Sequence, residues 1–535
     1  MTFGGVLGIR AEASKGYGMA TRDWWQDGII YQIYPRSFQD STGSGTGDLN
    51  GIRQRLDYVE ALGVDAIWIS PIFPSPMADG GYDISDYTGI EPIFGTLSDF
   101  GALVEDAHAR GLKVLLDFVP SHTSEEHPWF IDSRASKTAA KRDWYIWADP
   151  AADGGPPNNW ISEFGGPAWT MDEATGQYYL HIYARQQPAL NWRNPDVAAA
   201  MLDAMRVWYK RGVDGFRVDA VEHLTPDAQL RDNPANPDWD GTEPARALFR
   251  TFTSHQPDVF PHVRAMRKLA EEYGGRVLVG EAYGHLDEIM LYYGDQLDGF
   301  QLPFNFELLK ADLHPRRLAD YIRYYEGLIP KGGWPNWVMG NHDRPRIAGR
   351  VGLPMARLAQ MLLLTLRGTP TLWQGDELGM VNEAVPDDML QDPWAINNPG
   401  SGLGRDPVRI PMPWDDGEGR GFTTGAPFLP LSAVPSAAEQ SEDPASMLSL
   451  VRALTDLRRK TPALRHGDWI LDHADEAVLA YTRSVDGERI GVVLNMSDTD
   501  QPLPITGTPL LSTIPGRDVT ALDTLQPAEG VIIRR

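Results

Sequence analysis

The sequence predicts an α/β fold built on a closed (β/α)8 barrel, because amphipathic helices and short apolar strands alternate along most of the chain. The clearest copy is LSDFGALVEDAHARGLKVLLDF. Its apolar residues recur at helical spacing from Phe100 to Ala107, a glycine ends the helix, and an apolar strand follows. Three further copies end at Asp219, Glu281 and Asp343. So many repeats favour a closed barrel over an open sheet.

The remaining elements of the predicted barrel follow from the same alternation. Helices are predicted from Val197 to Trp208 and from Val263 to Ala270, and each meets a glycine shortly after its last apolar residue. The seven predicted strands are IIYQIY near Ile29, DAIWIS after Gly63, the run beginning at Val114, GFRV, RVLVG, NWVMG and TLRGTPTLW before Gln374.

Two regions interrupt the repeat and divide the chain into domains. Residues 123–190 are rich in Trp, Gly and Pro, with short β-like pieces such as YYLHIY, and are predicted to form a small inserted domain after the third strand. After residue 459 the alternating strands EAVLAYTRS, RIGVVLNMS and EGVIIRR predict a C-terminal antiparallel β-sandwich over 460–535. The barrel then comprises 19–122 and 191–459. Residues 1–18, which are rich in glycine and small residues, are predicted to be a tag or disordered leader.

Composition limits the possible partners. The formal net charge of −25 would repel nucleic acid and acidic lipid headgroups, so neither is expected as a partner and a neutral substrate is predicted. Apolar runs such as Met361–Leu364 are far shorter than the roughly 20 residues that span a bilayer. The absence of cysteine excludes disulfides and fits a reducing cytoplasm, where a monomer or homodimer is expected.

Polar residues follow the predicted strands. Because the loops after the strands of such barrels build one rim, these residues are expected to converge there. For a single acidic residue, capping of the next helix is the simpler interpretation; for several together, a functional site is favoured. The residues concerned are Asp117, His122, Asp219, Glu281, His342 and Asp343.

Four short motifs on these strand ends resemble the signature regions of the α-amylase family, glycoside hydrolase family 13. Further segments are similar to its α-glucosidase and oligo-1,6-glucosidase branch, and the likeness covers nearly the whole chain after Met19. The four motifs are DFVPSH at Asp117, GFRVDAVEH at Gly215, GEAY at Gly280 and GNHD at Gly340; the further segments are WWQDGIIYQIYPRSF, GYDISDY and RDPVRIPMPW.

The resemblance implies that Asp219 is a nucleophile, Glu281 a general acid/base, and Asp343 a carboxylate that grips the sugar hydroxyls. Retaining glycoside cleavage requires such a pair, about 5 Å apart, one ionised and one protonated. Arg217 lies two residues before Asp219 on a strand, so it shares a face with Asp219 and could keep it ionised. Burial near other carboxylates would raise the pKa of Glu281. The alternative is an ion pair that only ties the barrel together.

Six further residues are assigned to the bound glucose unit by the resemblance. Without the motifs, a histidine beside a strand end is as often a structural hydrogen-bond donor. An arginine of RDPVR is expected to pair with Asp83, and two arginines are candidates. The six residues are the histidine pair His122 and His342, the stacking platform Tyr82, the hydroxyl clamp Asp83, and Arg405 or Arg409.

The loop DSTGSGTGD resembles the divalent-ion loop of the same branch. Asp40 and Asp48 are present, but Thr42 and Ser44 stand where stronger oxygen ligands are usual, and Thr46 completes the set. A structural Ca²⁺ or Mg²⁺ and a plain glycine turn therefore both remain open. No cofactor is expected for the chemistry itself.

The leading functional hypothesis is a retaining, exo-acting α-glucosidase that releases glucose from the non-reducing end of short α-linked oligosaccharides. Ala220 follows the nucleophile where α-1,6-selective relatives usually carry Val, which favours α-1,4 links. One alternative is a transglucosylase or sugar isomerase that passes the same intermediate to a sugar or alcohol. Another is a non-catalytic barrel that serves as an interaction module.

Overall fold

The computed structural model describes residues 22–518, 520 and 522–535, so the predicted leader over 1–18 lies outside the described residues. Strands are numbered in chain order. Within the described ranges they are β1 Ile30–Ile33, β2 Ala66–Ile69, β3 Lys113–Phe118, β4 Trp147–Ala148, β5 Trp169–Asp172, β6 Gln177–Leu180, β7 Gly215–Val218, β8 Val277–Gly280, β9 Leu302–Pro303, β10 Asn336–Val338, β11 Thr369–Trp373, β12 Asp468–Ala474, β13 Val478–Val485, β14 Glu488–Asn495, β15 Gln501–Pro502, β16 Thr508–Ser512, β17 Thr524–Leu525 and β18 Gly530–Arg534.

The α-helices of the same ranges surround the parallel strands and precede the C-terminal sheet. Those predicted from 197 and from 263 are found as α7 and α8, and each is followed by a glycine with positive φ. The helices are α1 Trp24–Asp27, α2 Pro35–Phe38, α3 Leu49–Gln54, α4 Leu56–Leu62, α5 Leu97–Ala109, α6 Pro128–Ala135, α7 Pro195–Lys210, α8 Val259–Glu272, α9 Leu286–Met290, α10 Pro315–Leu328, α11 Ile347–Val351, α12 Leu353–Thr365, α13 Pro393–Asn397, α14 Ala437–Glu442, α15 Met447–Lys460 and α16 Pro462–His466.

Eight parallel strands form the predicted barrel, in the order β10-β11-β1-β2-β3-β7-β8-β9. The fold class is thereby confirmed, although β9 and β10 do not pair with each other and the barrel is closed only in part. The sequence predicted seven of these strands and missed β9. Its two residues are too few to show alternation, and Pro303 has no N–H to contribute to a ladder.

Alternation along the strands separates the barrel interior from the layer beneath the helices. Trp68, Leu115 and Val279 belong to the interior cluster, whereas their neighbours Ile67 and Leu116 pack towards the helices. The same period turns polar residues of β3 and β7 inward, where the indole N–H of Trp68 donates to the Asp117 carboxylate at 3.2 Å. The interior therefore changes from apolar to charged at the ends of these strands.

The inserted region and the C-terminal region each carry their own sheet. Strands β4, β6 and β5 form a three-stranded antiparallel sheet over a small core that includes Trp160 and Trp169. At the C-terminus, five antiparallel strands in the order β12-β13-β14-β18-β16 share a core with the two-stranded sheet β15-β17. The exact domain boundaries, 123–190 for the inserted domain and 460–535 for the C-terminal domain, stay predictions. No helix within the described ranges is long and apolar enough to cross a bilayer.

Candidate active site

The three predicted catalytic carboxylates lie at one rim of the barrel. Asp219 follows β7 directly, Glu281 follows β8 directly, and Asp343 lies five residues after β10, so all three are carried by loops at the carboxyl ends of parallel strands. They line one cavity of about 1000 Å³ together with Tyr82 and His122. The convergence expected from the strand ends is what the structure shows.

One guanidinium holds the two reacting carboxyls. Arg217 points into the barrel from β7 and is 1% exposed. Its Nη1 donates to Asp219 at 2.6 Å and to Asp117 at 2.8 Å, and its Nη2 forms an ion pair with Glu281 Oε2 at 2.5 Å. Two carboxyls on neighbouring nitrogens of one planar group lie within a few ångström of each other. This arrangement suits the separation of about 5 Å that retaining chemistry needs.

Burial sets the protonation of this pair. It raises the pKa of Asp219 to about 7, although Arg217 acts in the opposite direction. The sequence predicts that Arg217 helps to keep Asp219 ionised; its charge does lower the pKa of Asp219, but desolvation is the larger effect. Burial also raises the pKa of Glu281 to about 8, where the charges of Asp219 and Asp343 add to it. Asp219 therefore ionises before Glu281, which is the order that a nucleophile and a general acid require.

Asp343 differs from this pair because it is held between arginines. Arg405 Nη1 lies 3.2 Å and Arg409 Nη2 3.0 Å from its Oδ1. Burial alone would raise the pKa of Asp343, but His342, whose Nε2 lies 3.4 Å from the Asp343 carboxylate, and these two arginines hold it far below its usual range. Asp343 is therefore a permanent anion at the rim.

The backbone after the nucleophile is strained. Ala220 has φ 46° and ψ 37°, a left-handed conformation that non-glycine residues rarely adopt. In this conformation its N–H donates to Glu281 Oε2 at 3.0 Å, and the N–H of Val221 donates to the Glu281 carbonyl at 3.1 Å. The strain is thus coupled to contacts that hold the second carboxyl.

The residues predicted to hold the sugar form a hydrogen-bonded group beside the carboxylates. The Tyr82 hydroxyl lies 2.6 Å from His342 Nε2 and donates to Asp117 at 2.9 Å, while its ring stacks on His342 with centroids 5.3 Å apart. His122 Nε2 lies 3.0 Å from the Tyr82 carbonyl and Nδ1 lies 2.8 Å from Ser121 Oγ. Burial lowers the pKa of His122 to about 4, so this ring is neutral.

The predicted pairing of Asp83 with an arginine is wrong. Asp83 accepts hydrogen bonds from the hydroxyl of Ser75 and from the backbone N–H groups of Ala78 and Asp79, and these contacts fold its own loop. Asp79 is the carboxylate that meets Arg405, at 2.5 Å. The two aspartates are four residues apart in one loop, and the sequence carries no signal for which of them faces the cavity.

Arg405 is the centre of a second charge cluster. Besides Asp79 and Asp343 it binds Asp392, which accepts from its Nε at 3.0 Å and from its Nη2 at 2.6 Å. Arg409 instead donates to the His342 carbonyl at 2.9 Å in addition to Asp343. Sequence reasoning missed Asp79 and Asp392, because neither follows a barrel strand.

The side chains of the candidate metal loop are hydrogen-bonded within the loop and to Thr423. Asp40 accepts hydrogen bonds from the N–H groups of Thr42, Gly43 and Gly45 and from the hydroxyls of Thr42 and Thr423. Burial would raise the pKa of Asp40, but these donors outweigh it and lower the pKa.

The other candidate ligands are also engaged within the loop. Asp48 is bound by the N–H and hydroxyl of Ser41 and by the N–H of Gly51. The hydroxyl of Ser44 donates to the Thr46 carbonyl. Across the described part of the chain, no group of three or more His, Asp or Glu side chains is placed to hold a metal. The donor set fits a glycine turn better than a cation site.

Comparison with known proteins agrees with this site. A family model described as the catalytic domain of alpha amylase matches residues 32–467. A probable alpha-glucosidase of Rhizobium meliloti (strain 1021) is 42% identical over 496 residues, covering 89% of this chain and 90% of that protein. An oligo-1,6-glucosidase of Parageobacillus thermoglucosidasius is 36% identical over 520 residues, covering 89% of this chain and 91% of that protein.

Solved structures give the same result. The crystal structure of the α-glucosyl transfer enzyme XgtA superposes with a TM-score of 0.91 at 42% sequence identity, and the match covers 96% of this chain and 100% of that one. The sequence motifs, the barrel fold and these matches all indicate the same family. The chain is an enzyme that belongs to the α-amylase family of glycoside hydrolases.

Proposed function

We propose that the protein is a retaining α-glucosidase that releases glucose from the non-reducing end of short α-glucosides. One observation carries this proposal: a single buried guanidinium, that of Arg217, binds both Asp219 and Glu281. It places an acid that ionises first beside one that keeps its proton longer. A retaining glycosidase requires such a pair.

In the first half-reaction, ionised Asp219 attacks the anomeric carbon of the bound glucose unit. The bond to the leaving oxygen breaks, and Glu281 transfers its proton to that oxygen. Asp343, a permanent anion, hydrogen-bonds the sugar hydroxyls. Because the negative charge of Asp219 is lost to the new covalent bond, the pKa of Glu281 falls once the glucosyl-enzyme has formed.

In the second half-reaction, Glu281 acts as the base. It removes a proton from a water molecule, whose oxygen attacks the anomeric carbon from the face that the leaving group vacated. The bond to Asp219 breaks and the carboxylate is restored. Two inversions leave the released glucose in the α configuration.

The placement of the terminal glucose follows from the charge cluster beside the carboxylates. Asp79 and Arg405 pair with each other and line the cavity. We place the glucose hydroxyls against this pair, with His122 and His342 as further partners. Small Ala220, 2% exposed beside the nucleophile, favours α-1,4 over α-1,6 links. A strong preference for isomaltose over maltose would contradict the linkage.

Glucosyl transfer is a second candidate, favoured by the likeness to an α-glucosyl transfer enzyme at 42% identity. Both reactions share the intermediate on Asp219 and differ in whether water or a sugar hydroxyl attacks it. Chromatography of the products formed from concentrated maltose or sucrose distinguishes them. We expect mainly free glucose, whereas mainly longer or isomerised sugars would favour transfer.

The experiment that tests the proposal compares wild type with Asp219→Asn and with Asp214→Asn on maltose, isomaltose, sucrose and trehalose. Asp214 precedes β7 at its opposite end, where it binds His108 and Arg276. We expect Asp219→Asn to abolish turnover and Asp214→Asn to retain it. A wild type that cleaves none of these sugars would favour the interaction-module alternative.

We further propose a cytoplasmic enzyme, monomeric or homodimeric, that acts without nucleic acid or membrane partners. The supporting observations are the absence of cysteine and the net charge of −25. Gel filtration with light scattering measures the oligomeric state.

A further inference from the structure

A second buried glutamate lies three residues after the nucleophile. The side chain of Glu222 is completely buried. Its Oε1 accepts the backbone N–H of Tyr283 at 3.1 Å, and its Oε2 has no hydrogen-bond partner. The predicted site did not include this residue, and the mechanism above does not use it. A buried carboxyl oxygen without a hydrogen-bond partner lowers the stability of the fold, because its desolvation is not compensated. Such a residue is therefore a candidate for a functional role.

The Glu222 contact is one of three hydrogen bonds that join the loop after β7 to the loop after β8. The other two run from the N–H of Ala220 to Glu281 Oε2 and from the N–H of Val221 to the Glu281 carbonyl. Together they fix Glu281 from three sides: its side chain, its own carbonyl, and Tyr283 two residues beyond. Only the third bond uses a side chain of the loop after β7, that of Glu222.

The same turn is tied to the segment before α8. The N–H of His255 donates to the Glu222 carbonyl at 3.0 Å, and His223 Nδ1 lies 2.9 Å from the Thr253 carbonyl. A carbonyl only accepts, so Nδ1 carries the proton and Nε2 has a lone pair. That Nε2 has no partner, and Glu222 Oε1 lies 3.7 Å from it. A lone pair beside a buried carboxyl favours the protonated form of the carboxyl.

We propose that Glu222 is a positioning residue for Glu281, and that as a neutral carboxyl it holds the loop after β8 in register with the loop after β7. The inference rests on the function proposed above. It assigns Glu222 no contact with substrate. Its effect passes through Tyr283 to the orientation of the acid/base.

Electrostatics supports a neutral Glu222. Burial raises its pKa to about 8, and the charge of Glu281 adds to this effect. His223, whose pKa burial lowers to about 3, contributes no positive charge. Below pH 8 a protonated Glu222 therefore avoids placing a second negative charge beside Glu281. The titratable and charged groups that face Glu222 are Glu281, His223, Tyr183, Tyr292 and Arg250.

Two substitutions separate positioning from general stability. Glu222→Gln keeps the acceptor for Tyr283 and mimics the neutral carboxyl, whereas Glu222→Leu keeps the volume and loses the acceptor. The matched control is Glu377→Gln, because Glu377 is a fully buried carboxyl after β11 whose partners are Tyr31 and Tyr58. The substrates are maltose, whose leaving oxygen needs a proton, and α-D-glucosyl fluoride, whose leaving group does not.

We expect Glu222→Leu to lower kcat/KM on maltose by roughly 100-fold, the scale of a 1 Å misplacement, with a much smaller loss of kcat/KM on the fluoride. This parameter reports the first half-reaction, in which only the leaving group of maltose needs the proton of Glu281. Glu222→Gln should retain most of the activity. The alkaline limb of its pH–activity profile should move to lower pH. In wild type an ionised Glu222 would raise the pKa of Glu281, and in Glu222→Gln that negative charge is missing. Glu377→Gln should lower Tm without moving that limb.

Two results would overturn the proposal. One is an equal loss of kcat/KM on maltose and on the fluoride in Glu222→Leu, and the other is an unchanged alkaline limb of the pH–activity profile in Glu222→Gln. If Glu222→Leu does not fold, the alkaline limb of the pH–activity profile of Glu222→Gln tests the proposal by itself. A wild type inactive on both substrates would instead refute the proposed function. The two failures are therefore distinguishable.

Discussion

At the scale of single residues, Arg217 does two things that oppose each other. By binding both Asp219 and Glu281 it holds the reacting carboxyls together, and by its charge it lowers the pKa of each. Burial wins in both cases, so both carboxyls titrate near neutral pH instead of near pH 4. What matters for catalysis is their order.

The pH dependence of kcat/KM tests this order. Activity should rise with pH as Asp219 ionises, near its pKa of about 7, and fall as Glu281 loses its proton, near its pKa of about 8. The expected profile is a narrow bell with its maximum between these values. An optimum below pH 5 would show that the pKa values of Asp219 and Glu281 are not raised in the free enzyme.

Asp79 gives a second prediction at this scale. Asp79→Asn removes the charge that meets Arg405 at 2.5 Å and that we place against the glucose hydroxyls. We expect kcat/KM to fall at least about 30-fold, equivalent to about 2 kcal/mol, because a buried charge is left with fewer partners. The control is Asp86→Asn, an exposed aspartate of the same loop, which should leave kcat/KM unchanged. Equal effects of the two substitutions would contradict the assignment of Asp79.

At the scale of elements, the loop from Asp40 to Asp48 is stabilised by hydrogen bonds to its own two aspartates. Hydrogen bonds from N–H and O–H groups occupy the carboxylate oxygens that a cation would otherwise take. Replacing stronger ligands by Thr42 and Ser44 therefore leaves a loop that is stabilised by its own donors.

We therefore propose that this loop needs no divalent ion. Tm should be the same in EDTA, in Ca²⁺ and in Mg²⁺. Thr423→Val should lower the free energy of unfolding by about 1 kcal/mol, because Asp40 loses the hydroxyl at 2.5 Å. Thr424→Val, at an exposed neighbouring position, should have no such effect. A Tm that falls in EDTA and recovers with Ca²⁺ would show that an ion is bound.

At the scale of the whole molecule, two buried arginines join the barrel to the C-terminal sheet. Arg458 of α15 donates to the carbonyls of Leu364, Leu366, Gly368 and Leu464. Arg483 of β13 donates to carbonyls of the same junction, at Thr365, Leu464 and Gly467. All of these hydrogen bonds are to backbone carbonyls. At the ends of helices, carbonyls have no partner within the helix, and the two arginines supply donors to them.

Arg458→Met should therefore destabilise the protein strongly. The substitution keeps an apolar stem but removes the arginine donor from the buried carbonyls of Leu364, Leu366 and Gly368, while Leu464 keeps Arg483; we expect this to cost at least about 3 kcal/mol. The exposed neighbour Arg459→Met should change stability by less than about 0.5 kcal/mol. Thermal unfolding of both variants, followed by calorimetry, measures the difference. A Tm of Arg458→Met equal to that of wild type would contradict this role.

The sequence by itself determined the barrel, its order of helices and strands, and the strand ends that carry Asp219, Glu281 and Asp343. These features follow from local periodicity, from glycines after helices, and from the rule that parallel strands end at one rim. Each depends on residues close together in the chain, and the motif resemblance rests on equally short segments.

Only the tertiary structure decided which partners those residues meet. The choice of Asp79 over Asp83, the cluster of Arg405 with Asp392, and the contact of Glu222 with Tyr283 all join loops that are distant in sequence or alike in composition. The pKa values near 7 and 8 depend on how deeply the pair is buried, which no spacing encodes. Packing between loops decides these contacts, because side-chain direction and desolvation are set by the whole rim.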